Sequence, residues 1–193
     1  MIHLALAISL LFPAALVIAE SPRLILVIAV DQLRADRLSS SLPGGLGELA
    51  RSGHVFTNAT LDHAGTSTCP GHAVMLTGTN PSQHGITGNE YFDRESWQSR
   101  YCVEDHQYPQ LGGGEGRSPR RLRATTLGDW MKAADPTSRV FAVSAKDRAA
   151  ITLGGLHGDA AIWLNRDTGA FTSSKYYLDE WPQWLARFNG DDP

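Results

Sequence analysis

The sequence predicts an α/β fold with a central, mostly parallel sheet flanked by helices. Two observations predict it. Residues 23–30 (RLILVIAV) and 139–145 (RVFAVSA) are apolar and rich in β-branched side chains, as strands covered on both faces are. Segments of helical pattern alternate with these and with further strand-like runs, which is the order of a sheet wound with helices. Composition agrees with a globular domain: of 193 residues 42% are hydrophobic and 19% charged. A formal charge of −3 lacks the basic footprint of a nucleic-acid binder. Two cysteines are too few for a disulfide scaffold or a four-thiolate zinc site.

The elements follow in order. Residues 1–19 (MIHLALAISLLFPAALVIA) read as a secretory signal cut after Ala19, although a positively charged start is missing and an uncleaved anchor stays open. The body at 20–193 is then expected to work outside the cytosol, periplasmic or secreted, with no stable membrane association after cleavage. The run at 23–30 is the first strand and ends at Asp31. Residues 43–51 form a short helix closed by Gly53, and 54–59 (HVFTNA) a second strand. Pro70 suits the first turn of a helix running to about Thr77, which Asn80, Pro81 and Ser82 break. Glycine, proline and polar residues mark a loop-rich insertion over about 85–124, where mobility is expected. Residues 125–134 are helical and 139–145 a buried strand. Residues 160–164 and 170–177 form a hairpin, and 178–188 an amphipathic helix despite Pro182.

Chemistry concentrates where strands end. Asp31 directly follows an apolar run, where a carboxylate can reach a metal or a substrate hydroxyl, or can cap a helix. Thr68 opens a helix, where backbone N–H groups and the helix dipole favour an anion; it is a nucleophile or a capping threonine. Asn89 ends a glycine-rich stretch (GITGN, 85–89) and offers an amide to a phosphoryl oxygen, or lies in a turn. Lys146 and Arg148 follow a strand one residue apart, able to clamp a dianion or simply solvated.

Together the segments VDQLR (30–34), TCPGH (68–72), HGITGN (84–89) and KDR (146–148) resemble the amino-terminal part of the alkaline phosphatase superfamily. They are most similar to the threonine-nucleophile, phosphate-irrepressible alkaline phosphatases related to the type I phosphodiesterase/nucleotide pyrophosphatases. Two further stretches, TTLGD (125–129) and SSKYY (173–177), continue the likeness in family order. The resemblance implies an alkaline-phosphatase-like sandwich, present here in its amino-terminal portion, and a metal-dependent phosphomonoester hydrolase working through a phosphothreonine. It implies Thr68 as the nucleophile, Asp31 and Thr68 as metal ligands, two zinc ions per complete site, and Asn89, Lys146 and Arg148 as holders of phosphate oxygens. The substrate is then a small phosphate monoester, because the cation pair matches a dianion better than a diester. A phosphodiesterase or nucleotide pyrophosphatase of the same superfamily, and an inactive truncated remnant, are the alternatives.

In the family two further aspartates and three histidines complete the metal site from a carboxyl-terminal half. The expectation is therefore a fragment that is inactive and poorly folded alone. His72 and His84 read as supporting groups rather than ligands. Cys69 and Cys102 can pair in an oxidising compartment, and their spacing alone does not decide it.

Overall fold

The computed structural model describes residues 22–190 in two units, 1–30 and 31–193. The signal sequence expected at 1–19 lies outside the described residues. In the first unit, residues 22–30 have no regular secondary structure, and Leu24, Leu26 and Ile28 are exposed. The strand expected there is not observed. Apolar β-branched composition favours extension, but a strand needs ladder partners to hold it.

The second unit opens with a short 3₁₀ turn at Ala35–Arg37 and helix α1, Gly44–Ser52, with Gly53 at its carboxyl end as expected. The strand expected at 54–59 is absent: the segment is exposed throughout, Phe56 to 82%, so no neighbour rewards extension. Helix α2, Thr68–Thr77, carries Pro70 in its first turn and stops at Gly78, whose φ of 63° is the left-handed conformation that closes helices. Asn80 starts another helix instead of merely ending α2. Its side chain and that of Gln83 cap α3, Pro81–His84, reciprocally.

The loop-rich stretch contains a hairpin of β1, Glu90–Asp93, and β2, Gln98–Tyr101, with Glu90 opposite Tyr101. A disulfide between Cys69 and Cys102 ties the end of that hairpin to the start of α2. Both cysteines are buried, and they sit in the main core with Ala73, Val103, Leu122 and Ile151.

Helix α4, Leu127–Ala134, begins at the Thr126–Asp129 capping box. Strand β3, Phe141–Ser144, runs parallel to β4, Ala160–Leu164, and β4 pairs antiparallel with β5, Phe171–Thr172. Helix α5, Asp147–Gly154, covers one face of this sheet, where Gly154 meets the Cβ atoms of Ala142 and Ala161. Leu185 of α6, Gln183–Gly190, packs with Ala160 and Ile162 on the other face. A helix/sheet/helix layering results, with β4 buried on both faces. The expected burial of β3 is only half realised: Ala142 is buried beneath α5, whereas Phe141 and Val143 point to the opposite face and are exposed. Helix α6 begins after Pro182, which lacks the N–H an interior position would need. No helix among the described residues is long and apolar enough to cross a membrane.

Candidate active site

Four segments converge at the start of α2. Ser67 is the residue that caps α2, so Thr68 is not the helix's capping threonine. The Thr68 hydroxyl instead donates to Asp31 Oδ2 at 3.2 Å, across 37 residues of chain. Asp31 Oδ2 also accepts from the Lys146 ammonium. That hydrogen bond with Lys146 is the main reason the Asp31 carboxyl titrates below its ordinary value; partial burial opposes it, and the Lys146 charge and Thr68 hydroxyl add to it. Thr68 is buried, and its carbonyl bonds His72 Nδ1 at 2.8 Å.

Asn89 reaches the same helix end. Its Oδ1 accepts the Cys69 backbone N–H at 2.9 Å. An N–H can only donate, so the amide orientation is fixed and Nδ2 keeps its two donors for another acceptor.

Lys146 and Arg148 lie at the entry to α5, which packs against α2. Arg148 Nη1 donates to the Tyr101 hydroxyl at 3.2 Å, while its Nε is buried without a partner. Tyr101 donates to Asp147 Oδ1 at 2.6 Å, and Arg117 Nε donates to Asp147 Oδ2 at 2.7 Å. Burial, reinforced by the Asp147 carboxylate, pushes the Tyr101 phenol up to about 12. A cleft of about 520 Å³ flanks the cation pair, lined also by Arg117, Trp163, Asn165 and Arg166.

Of the five residues picked from the sequence, Asp31, Thr68 and Lys146 form one hydrogen-bonded cluster, and Asn89 and Arg148 are tied to the segments beside it. Asp31 joins Thr68 to Lys146, Asn89 joins through the Cys69 backbone, and Arg148 through Tyr101, next to the disulfide-bonded Cys102. Sequence reasoning missed Tyr101 and Arg117 and gave Asp147 no role. Their partners are 30 to 47 residues away, and only the disulfide gives a sequence-visible hint that residue 101 approaches α2.

The family model for type I phosphodiesterase / nucleotide pyrophosphatase matches residues 25–193. The chain belongs to this family. Among curated members it is 43% identical over 158 residues to the alkaline phosphatase PhoK of a Sphingomonas species, covering 78% of this chain and 28% of that protein. It is 37% identical over 177 residues to the alkaline phosphatase PafA of Elizabethkingia meningoseptica, covering 87% of this chain and 32% of that one. The crystal structure of wild-type PafA superposes with a TM-score of 0.74 at 38% identity, over 76% of this chain and 29% of that chain. A second PafA structure, of a variant with a threonine, an asparagine, a lysine and an arginine substituted, gives a TM-score of 0.65 at 36% identity, over 67% of this chain and 26% of that one. The chain thus spans about a third or less of these family members. The likeness to PafA establishes the α/β fold for the portion of the family it covers.

The fit to a family metal can be judged from the donors present. Asp31 and Thr68 put two hard oxygen donors together, whereas zinc takes four ligands. Among the described residues there is no group of three His, Cys, Asp or Glu side chains able to hold a metal ion. The described residues alone therefore do not complete a metal site.

Proposed function

We propose that this chain is the nucleophile-bearing and phosphate-holding portion of a metal-dependent phosphomonoesterase of the alkaline phosphatase type. The observation that carries the reading is the shared Asp31 oxygen, which joins the hydroxyl of a helix-opening threonine to the ammonium of Lys146. A hydroxyl held to a carboxylate at a helix N-terminus, with two cations nearby, is suited to attack a dianionic phosphoryl group.

Thr68 Oγ1 forms the new bond to phosphorus as the bond to the leaving oxygen breaks. The hydroxyl proton passes from Oγ1 to solvent water, and the departing alkoxide takes one back from water, so threonine and ester become phosphothreonine and alcohol. Water then cleaves the phosphothreonine, releasing phosphate and restoring the hydroxyl. Lys146 and Arg148 offset the charge on the nonbridging oxygens, and Asn89 Nδ2 donates to one of them. Asp31 and Thr68 would be two of the ligands of a zinc site, and a bound zinc ion would lower the proton affinity of the Thr68 hydroxyl and offset charge on the leaving oxygen. The pair of cations favours a monoester over a diester, whose phosphoryl group carries one charge fewer.

The substituted PafA variant supports this assignment: its threonine and asparagine are 21 residues apart and its lysine and arginine two apart. Asn89 likewise follows Thr68 by 21 residues and Arg148 follows Lys146 by two. The Cys69–Cys102 disulfide supports work in an oxidising, periplasmic or secreted setting.

The test is hydrolysis of p-nitrophenyl phosphate against bis-p-nitrophenyl phosphate, with zinc supplied, by the protein expressed from its complete reading frame. The monoester should be the better substrate, and Thr68→Ala should abolish turnover of both. Faster diester turnover favours the nucleotide pyrophosphatase reading, and no turnover of either favours an inactive remnant.

A further inference from the structure

Arg148 is held in an unusual way for a residue meant to bind an anion. A guanidinium has five N–H donors and no acceptor. Here Nη1 is taken by a neutral phenol, Nε is buried with no partner, and among the described residues the guanidinium makes no ion pair. A carboxylate is close at hand, since Asp147 precedes Arg148 in the chain. Its two oxygens are engaged elsewhere: Oδ1 by the Tyr101 hydroxyl and the Arg148 backbone N–H, Oδ2 by Arg117.

Resting on the phosphomonoesterase reading, we propose that Tyr101 is a positioning residue that aims Arg148 at the phosphoryl group while keeping its charge free of Asp147. The direction of the hydrogen bonds follows from the partners. The phenol proton is committed to Asp147, so the oxygen presents only lone pairs to Arg148. A direct Asp147–Arg148 pair would neutralise the guanidinium; a phenol between them fixes its position and leaves the charge for a substrate dianion. Tyr101 is itself held on three sides. Asp147 holds its hydroxyl, the Arg117 guanidinium lies 5.0 Å over its ring, and the Cys69–Cys102 disulfide pins the next residue to the start of α2. Arg148 lines the cleft of about 520 Å³, from which a phosphate dianion would meet its guanidinium.

The experiment titrates inorganic phosphate, at mildly alkaline pH by calorimetry, into the protein expressed from its complete reading frame with zinc supplied, using wild type, Tyr101→Phe, Arg148→Ala and the double variant. Phenylalanine keeps the ring under Arg117 and removes only the oxygen. Tyr101→Phe should weaken phosphate binding about ten-fold, the scale of one charge-assisted hydrogen bond. Arg148→Ala should weaken it at least as much, and the double variant no further than Arg148→Ala alone, because Tyr101 acts only through Arg148. The Arg148 Nε–H resonance should be sharp in phosphate-bound wild type and broadened in Tyr101→Phe, which a purely structural tyrosine would not cause. Asp147→Asn is the second variant should Tyr101→Phe fail to fold, with weakening in the same direction expected. Phosphate affinity within about two-fold of wild type in the folded variant, with Arg148→Ala still weakened, overturns the positioning role and leaves the phosphate site standing. Absence of phosphate binding by wild type, or affinity unmoved by Arg148→Ala, overturns the phosphate site and the positioning role with it.

Discussion

Opening the Cys69–Cys102 disulfide perturbs both arms of the site at once, and its effect on stability follows from the closed loop. The two cysteines are 33 residues apart. In the chain-entropy treatment, a loop of that size removes about 12.5 cal/mol/K from the unfolded ensemble, or about 3.7 kcal/mol near room temperature. That is a large part of the stability of a domain this size. Reduction keeps both sulfurs in the core and so isolates the loop effect. Cys69→Ala/Cys102→Ala serves as the irreducible control, with an added cost because both positions are fully buried. Urea unfolding followed by tryptophan fluorescence measures the difference. With a denaturant slope of about 2 kcal/mol per molar, the midpoint should fall by close to 2 M on reduction. A shift below about 0.5 M would refute the reasoning, since the hairpin would then be held to α2 by packing alone.

Further expectations concern single residues. Thr126→Ala removes the α4 cap, whose hydroxyl accepts the Asp129 N–H, and should cost about 1 kcal/mol in urea unfolding. Gly155→Ala should cost more than an exposed substitution: φ is +68° and a Cβ there would sit 2.7 Å from Thr126 Cγ2, so a lowered melting temperature checks it. Asp31 titrates below its unfolded value chiefly because of the Lys146 hydrogen bond, so its contribution is present above about pH 4 and lost as pH falls through the folded value. Asp31→Asn should therefore flatten the acid limb of a stability–pH curve, by less than about 1 kcal/mol because the pair is partly exposed.

Much of the candidate site was legible because its residues lie after apolar runs and at helix starts, in segments that together, though not singly, resemble the alkaline phosphatase superfamily. Thr68 and Pro70 marked the start of α2, and Lys146 and Arg148 the end of β3, from sequence alone. Helix α5 was missed because Lys146 and Arg148 were read only as a cation pair following a strand, although Asp147 in its first turn and Gly155 beyond its end carry the usual signals. The hairpin at 90–101 was hidden by its short, polar and half-exposed strands. Residues 23–30 and 54–59 show the opposite failure: β-branched composition states a preference that only a paired neighbour converts into a strand. Tyr101 and Arg117 act through contacts 30 to 47 residues long, which no local pattern encodes.

The central claim is that Thr68 is the group that receives phosphate. The protein expressed from its complete reading frame, loaded with zinc and quenched in acid during turnover of a phosphate monoester, can be cleaved and its peptides mapped by mass spectrometry. The account predicts one covalent phosphate, on Thr68, absent from Thr68→Ala. Phosphate on another residue, or retained in Thr68→Ala, would contradict it.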